Sequence, residues 1–300
     1  MIITPQILKN LMVGFSHAFK GGVAKAETQY TKITTTIPGT GKSTTYGWLG
    51  KWPKFREWVG DRVFKNLAAH AYTIVNKKYE SSVEVERDEI EDDEIGVYMP
   101  MMEEMGQAAS ELPDELIFGL LGNGFTELCY DGQNFFDTDH PVNAEVDGSG
   151  VNALVSNMTA GLETPWFLLD TTRALKPMIY QLRRKIELKS MTDAKDSESS
   201  WLRDVFQFGA DGRMNVGFGF WQMAHGSKAA LTEANLNAAH AAMRAVKGDG
   251  DKALSIKPTT LVVPASLEQQ AEAILNLSHL ANGASNPMYK KYDLVVSDFL

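Results

Sequence analysis

The chain has 300 residues, 44% of them hydrophobic and 22% charged, an ordinary composition for one large or two moderate domains with proper cores. A formal net charge of −9 argues against a protein that grips naked nucleic acid by releasing counterions. The single cysteine, Cys129, excludes a disulfide framework within the chain and a thiolate cluster around a metal, and it fits a reducing compartment.

Residues 1–22 read MIITPQILKNLMVGFSHAFKGG and place Ile7, Leu8, Leu11, Met12, Phe15 and Phe19 on one helical stripe. The spacing predicts a helix that Gly21 and Gly22 close. Lys9, Asn10, Ser16 and His17 interrupt the apolar run, so it lacks the core of a signal peptide. No stretch of about 18 apolar residues follows. The expectation is a soluble protein made in a cytoplasm, with no membrane partner.

The stretch TTIPGTGKSTTYGWLG, residues 35–50, holds Gly41, Lys42 and Ser43 in the order that ends a nucleotide-binding P-loop. Such a loop needs a glycine five positions before Gly41, where Thr36 stands, and a helix whose N-terminus faces the phosphates. The residues after Ser43 include Gly47, Gly50 and Pro53, which start no helix. They read as a flexible hinge, with a nucleotide hydrolase using Lys42 and Ser43 as the alternative. Three of the six tryptophans, Trp48, Trp52 and Trp58, follow in a segment broken by glycine and proline that cannot easily bury three indoles within itself. Either another molecule covers them, as an inter-subunit contact, or they pack on the core of the same chain.

Eight of the eleven residues from Glu84 to Glu94 are acidic, and Val83 and Val85 alternate with the first of them as in a strand. The later acids suit the first turn of a helix and a solvated face. Ile95, Met99, Met102, Met105, Ala109 and Leu112 then recur at helical spacing, with Pro100 and Pro113 expected to kink or segment the helix. In CYDGQNFFDTDHPVN, residues 129–143, Asp131, Asp137, Asp139 and His140 crowd together. Their spacing fits neither an EF-hand nor a zinc helix, and Asp, Gly, Asn and Pro at this density build turns. A metal-dependent hydrolase using Asp137, Asp139 and His140 is the alternative reading.

Further on, Arg183, Arg184 and Lys185 read as a solvated helix end or an interface to an acidic partner. The segment DVFQFGADGRMNVGFGFWQMA reads as strand, turn and strand through Val216, Phe218 and Phe220. Thr232 caps a helix through Leu236, Ala239, Met243 and Val246 that stops at Gly248. Thr260–Val263 is a short buried strand, a capping box of Ser266 with Gln269 opens the next helix, and Leu294–Val296 is a last strand. Strands and helices mixed without strict alternation predict an α+β fold.

Five segments taken together, WLGKWPKFREWVGDR, YESSVEVERDEIEDDEIGVY, YDGQNFFDTDHP, GRMNVGFGFWQMAHGSKAALTEANLNAAHAAM and KPTTLVVPASLE, resemble the major head (capsid) proteins of phage Mu and Mu-like prophages, the T gene product family. The resemblance runs along nearly the whole chain in the family's order. It implies the tailed-phage capsid fold first described for phage Hong Kong 97. Residues 1–40 would be an N-terminal arm and 41–86 an extended loop. Residues 87–300 would form intertwined peripheral and axial domains, with the axial part including about 130–160 and 255–285. A spine helix would begin near Asp92, LVVPASLEQQAEAIL would lie in the axial domain, and LVVSDFL would return to the peripheral sheet.

By the same resemblance the chain is a structural subunit without catalytic residues, metal or cofactor. It would assemble with itself into hexameric and pentameric capsomers, with the portal, scaffold and maturation protease as separate proteins. The expected setting is the virion capsid, assembled in the bacterial host cytoplasm around packaged DNA that is bound without sequence specificity.

Overall fold

Thr4 starts the first helix: its hydroxyl accepts from the Ile7 N–H at 3.3 Å, and Pro5 takes the first helical position, where an N–H would have had no partner. The computed structural model describes residues 3–49, 72–92, 94–145, 149–191, 203–279 and 282–300. In chain order the elements are α1 (Pro5–Lys25), α2 (Tyr30–Ile33), β1 (Thr34–Pro38), β2 (Ser43–Tyr46), β3 (Tyr72–Val75), β4 (Lys77–Glu86), α3 (Arg87–Glu91), α4 (Tyr98–Gly122), β5 (His140–Asn143), β6 (Asn152–Val155), β7 (Met158–Thr159), β8 (Trp166–Leu169), β9 (Met178–Met191), β10 (Val205–Phe218), β11 (Ala224–Ser227), α5 (Glu233–Ala245), β12 (Lys247–Gly248), β13 (Lys252–Ala253), β14 (Thr260–Pro264), α6 (Glu268–Leu275) and β15 (Asp293–Ser297).

Two larger sheets organise these elements. The first has the order β1-β9-β10-β4, with β1 parallel to β9 and the other pairs antiparallel. One face carries Val85, Phe206 and Phe208, which pack with Leu11 and Phe15 of α1 and Met102 of α4. The Phe15 and Phe208 rings meet edge to face at 4.8 Å. The second sheet has the order β15-β14-β8-β11-β7, and its central strands β8 and β14 are buried throughout. Such continuously apolar runs, WFLL and the LVVP of β14, are what a sheet covered on both faces requires. Mixed sheets and helices confirm the α+β expectation.

Several local expectations hold. Thr232 caps α5 by accepting from Asn235 N at 3.2 Å, and strands form at Thr260–Pro264 and Asp293–Ser297. Others are corrected by tertiary contacts. Gly21 and Gly22 do not end α1, which runs on to Lys25. Pro113 neither breaks nor segments α4, which continues for 25 residues because both halves are buried, Met102 and Met105 before it and Ile117, Phe118 and Leu121 after it. The adjacent Asp114 accepts from Gln29 N (2.9 Å) and Tyr30 N (2.6 Å) and so ties the start of α2 to α4.

Arg183, Arg184 and Lys185 lie exposed in the middle of the 14-residue strand β9, not at a helix end, and Arg184 pairs with Asp211 on β10. The GADG sequence is no turn: β10 passes straight through it, with a pairing irregularity between Asp211 and Met214. Ser266 forms no capping box, because Ala265–Leu267 make a 3₁₀ turn and Leu267 occupies the cap position of α6. Finally, β15 pairs in parallel with β14, so LVVSDFL and LVVP, expected in different domains, lie side by side in one sheet. Among the described residues no helix is long and apolar enough to cross a membrane.

Candidate functional site

Gly41, Lys42 and Ser43 turn the chain into strand β2, not into a helix, and β2 pairs antiparallel with β3 from Ser43↔Val75 to Tyr46↔Tyr72. The loop offers carbonyls where a phosphate cradle would offer N–H groups. The Gly41 carbonyl accepts from Asn76 Nδ2 and the Lys42 carbonyl from Asn76 N, both at 2.9 Å. The geometry is that of a clasped ribbon stem and lacks the anion-facing helix terminus that nucleotide chemistry needs.

The Asp- and His-rich segment folds back on itself. His140, with no exposed surface, stacks on Trp221 at 4.0 Å between ring centres and bonds through Nδ1 to Asp131 Oδ2 (2.8 Å) and through Nε2 to Asn157 Oδ1 (3.2 Å). Asn157 is fixed in turn: its Oδ1 also accepts from Asp137 N at 2.9 Å, and its Nδ2 donates to the Phe135 and Trp221 carbonyls. Burial works against ionising Asp131, but hydrogen bonds from His140 and Cys129 outweigh it and hold its carboxyl below the usual range. The Cys129 thiol, 3.0 Å from Asp131 Oδ1, is pushed well up by burial and then by the Asp131 charge.

Cys129, Asp131 and His140 bring three donor atoms within 4.8 Å and are the residues that could hold a metal. Each is already engaged by another, so the trio closes its own turn. Asp137 accepts from the N–H groups of Asn134 and Thr138, and the half-buried Asp139 shares a side-chain hydrogen bond with Asp137, which raises the Asp139 pKa. Of the sequence candidates, His140 and Asp131 meet, while Asp137 reaches that centre only through Asn157.

Trp48 is half-buried on its own chain, edge-on to Tyr46 at 5.9 Å and tilted over Phe220 at 5.8 Å. Trp52 and Trp58 lie outside the described residues. One polar centre had no signal in the sequence. Gln181, wholly buried on β9, accepts from the Tyr46 hydroxyl at 2.7 Å and donates to Asn76 Oδ1 at 2.7 Å. Burial pushes the Tyr46 hydroxyl up to about 12, so it remains a donor.

The likeness to known proteins runs from end to end. The chain is 50% identical to the Mu-like prophage FluMu major head subunit of Haemophilus influenzae, covering 99% of each chain, and 47% identical to the major capsid protein of Escherichia phage Mu over the whole of both. Among solved structures it is similar to the procapsid of bacteriophage JBD30 (TM-score 0.86, 47% identity, 99% of this chain and 100% of that one). It is also similar to the JBD30 capsid (TM-score 0.77, 38% identity, 100% of this chain and 99% of that one). The fold is therefore the phage major capsid fold of the Hong Kong 97 type. The family model of the Mu-like prophage major head subunit gpT matches residues 8–300, and the chain belongs to that family.

Proposed function

We propose that this head subunit builds the shell itself, assembling with copies of itself as hexameric and pentameric capsomers into the icosahedral head of a tailed phage. The observation that carries the reading is the end-to-end likeness to a chain of a phage procapsid. Assembly takes place in the bacterial cytoplasm with portal, scaffold and maturation protease as separate proteins, and the finished shell encloses double-stranded DNA. An acidic wall suits that task, because packaged DNA must slide past it and tight phosphate binding would hinder it.

The parts divide as follows. Residues 1–40 act as the arm, anchored where α1 lies on α4, and α4 is the spine helix. Residues 41–86 act as the extended loop, with β2 and β3 as its stem. Trp52 and Trp58 on that loop contact a neighbouring subunit. Residues 87–300 form the peripheral and axial domains, the axial part including about 130–160 and 255–285. None of these roles calls for a catalytic residue.

Expression of the chain alone, with negative-stain electron microscopy and sedimentation velocity on the same sample, tests the reading. Rings, tubes or closed shells are expected. A chain that stays monomeric alone and also when co-expressed with its phage scaffold protein would overturn it.

A further inference from the structure

The β2–β3 ribbon pairs with neither of the larger sheets. Side chains attach it instead. From β9, Gln181 accepts from Tyr46 on β2 and donates to Asn76 Oδ1 and, at 3.2 Å, to the Ile74 carbonyl on β3. From β10, Asn215 Nδ2 donates to the Val75 carbonyl at 2.7 Å, and Phe218 N donates to the Tyr72 hydroxyl at 3.2 Å. Between these points Ile74 drops into the space above Gly217, where a Cβ would come within 2.3 Å of Ile74 Cδ1.

A ribbon without ladder bonds to its support has its direction set by the few points that pin it. Gln181 holds both strands at once through bonds aimed in three directions, and Gly217 fixes how deeply β3 sits. A fully satisfied amide in an apolar core adds little net stability over an apolar side chain of the same size, yet it defines one geometry. A methionine of similar volume would fill the space equally well and leave the ribbon able to tilt.

We infer that Gln181 and Gly217 are positioning residues for assembly, setting the angle at which the β2–β3 ribbon leaves the sheet. This rests on the shell-forming role proposed above. Neighbouring subunits must find that ribbon in one place, so an error in its angle disturbs how copies meet while leaving each copy folded.

The test compares wild type with Gln181→Met, with Gln181→Met combined with Tyr46→Phe, and with Gly217→Ala, all assembled under one set of conditions. The double variant removes the hydroxyl that Gln181→Met would leave unpaired, so the cost that remains is the donor lost to Asn76 Oδ1 and the Ile74 carbonyl. The double variant should still unfold in one cooperative step, a few degrees below wild type, and so be fully folded at the temperature of assembly. The yield of closed shells of wild-type size should nevertheless fall by about tenfold or more, with open or irregular assemblies in their place, because a site held loosely by its supports loses its geometry. Gly217→Ala, which presses on the ribbon from β10, should give the same irregular products. Wild-type shells from the double variant at wild-type yield would overturn the inference. Absence of any assembly from the wild-type chain would instead count against the shell-forming role.

Discussion

Gly22 of α1 rests directly on the Glu103 carbonyl of α4: a Cβ at Gly22 would lie 1.8 Å from that oxygen. The contact is returned one turn away, where a Cβ at Gly106 would lie 2.0 Å from the Phe19 carbonyl, so the two helices meet backbone to backbone. The neighbouring Gly21 faces open space, with nothing within 4 Å of where its Cβ would stand, and sits in ordinary helix. Gly21→Ala is therefore expected to stabilise the protein by roughly 0.5–1 kcal/mol through lost chain entropy. Gly22→Ala should destabilise it by about 1–3 kcal/mol or more, since backbone cannot move aside as a side chain can. Thermal denaturation of the two variants side by side decides, and shifts of the same sign would show that α1 is not docked in this way.

That pair also marks the limit of what is legible in a sequence. Two glycines after an apolar stripe read as a helix stop, because a C-cap is local and a close approach needs a partner some 80 residues away. Pro113 likewise reads as a break because of the one hydrogen bond it removes, whereas α4 is held by burial on both sides of it. The Thr232 cap and the β14 and β15 strands are legible because their signals lie within four or five residues of one another. In the Asp- and His-rich segment the crowding can be seen, but Asn157, which fixes the ring of His140, lies 17 residues downstream. Gln181 leaves no trace: an amide in a strand has no spacing to betray that its partners are Tyr46 and Asn76.

Asn157 links the turn of residues 129–140 to the rest of the core, so Asn157→Leu should be costly. It would leave His140 Nε2 and the Phe135 carbonyl without their partner in a buried site, an effect of about 2–4 kcal/mol. Urea denaturation would measure it. Since the trio of Cys129, Asp131 and His140 is closed by its own hydrogen bonds, dialysis against EDTA should leave the wild-type melting temperature unchanged. A fall after EDTA would mean that a metal, not this network, holds the turn.

Lys42 is exposed, and only its backbone carbonyl is used in the stem. Lys42→Ala should accordingly change stability by no more than about 0.5 kcal/mol. Shell yield should match wild type. Equilibrium dialysis with labelled ATP provides the counter-test: nucleotide binding by wild type that vanishes in Lys42→Ala would restore the P-loop reading against the strand geometry.

His225 on β11 is 3% exposed, with Nε2 at 2.9 Å from the Thr159 hydroxyl and Nδ1 buried without a hydrogen-bond partner among the described residues. Burial pushes its pKa down from 6.5 to about 4. The unfolded chain takes up this proton near pH 6.5 and the folded chain only near pH 4, so between those values the unfolded state binds more protons. Stability from the neutral ring is thus fully present above pH 6.5 and is lost as the pH falls through about 4. The loss is on the order of 3 kcal/mol. Carboxylates also titrate in this window, but they do so in wild type and variant alike. Replacing the ring with a side chain that does not titrate, His225→Gln, should therefore flatten the acid limb of a plot of unfolding free energy against pH, whatever the variant costs at neutral pH. Urea denaturation at intervals from about pH 7.5 to about 4 measures both curves, and parallel curves would show that His225 is not held neutral by the fold.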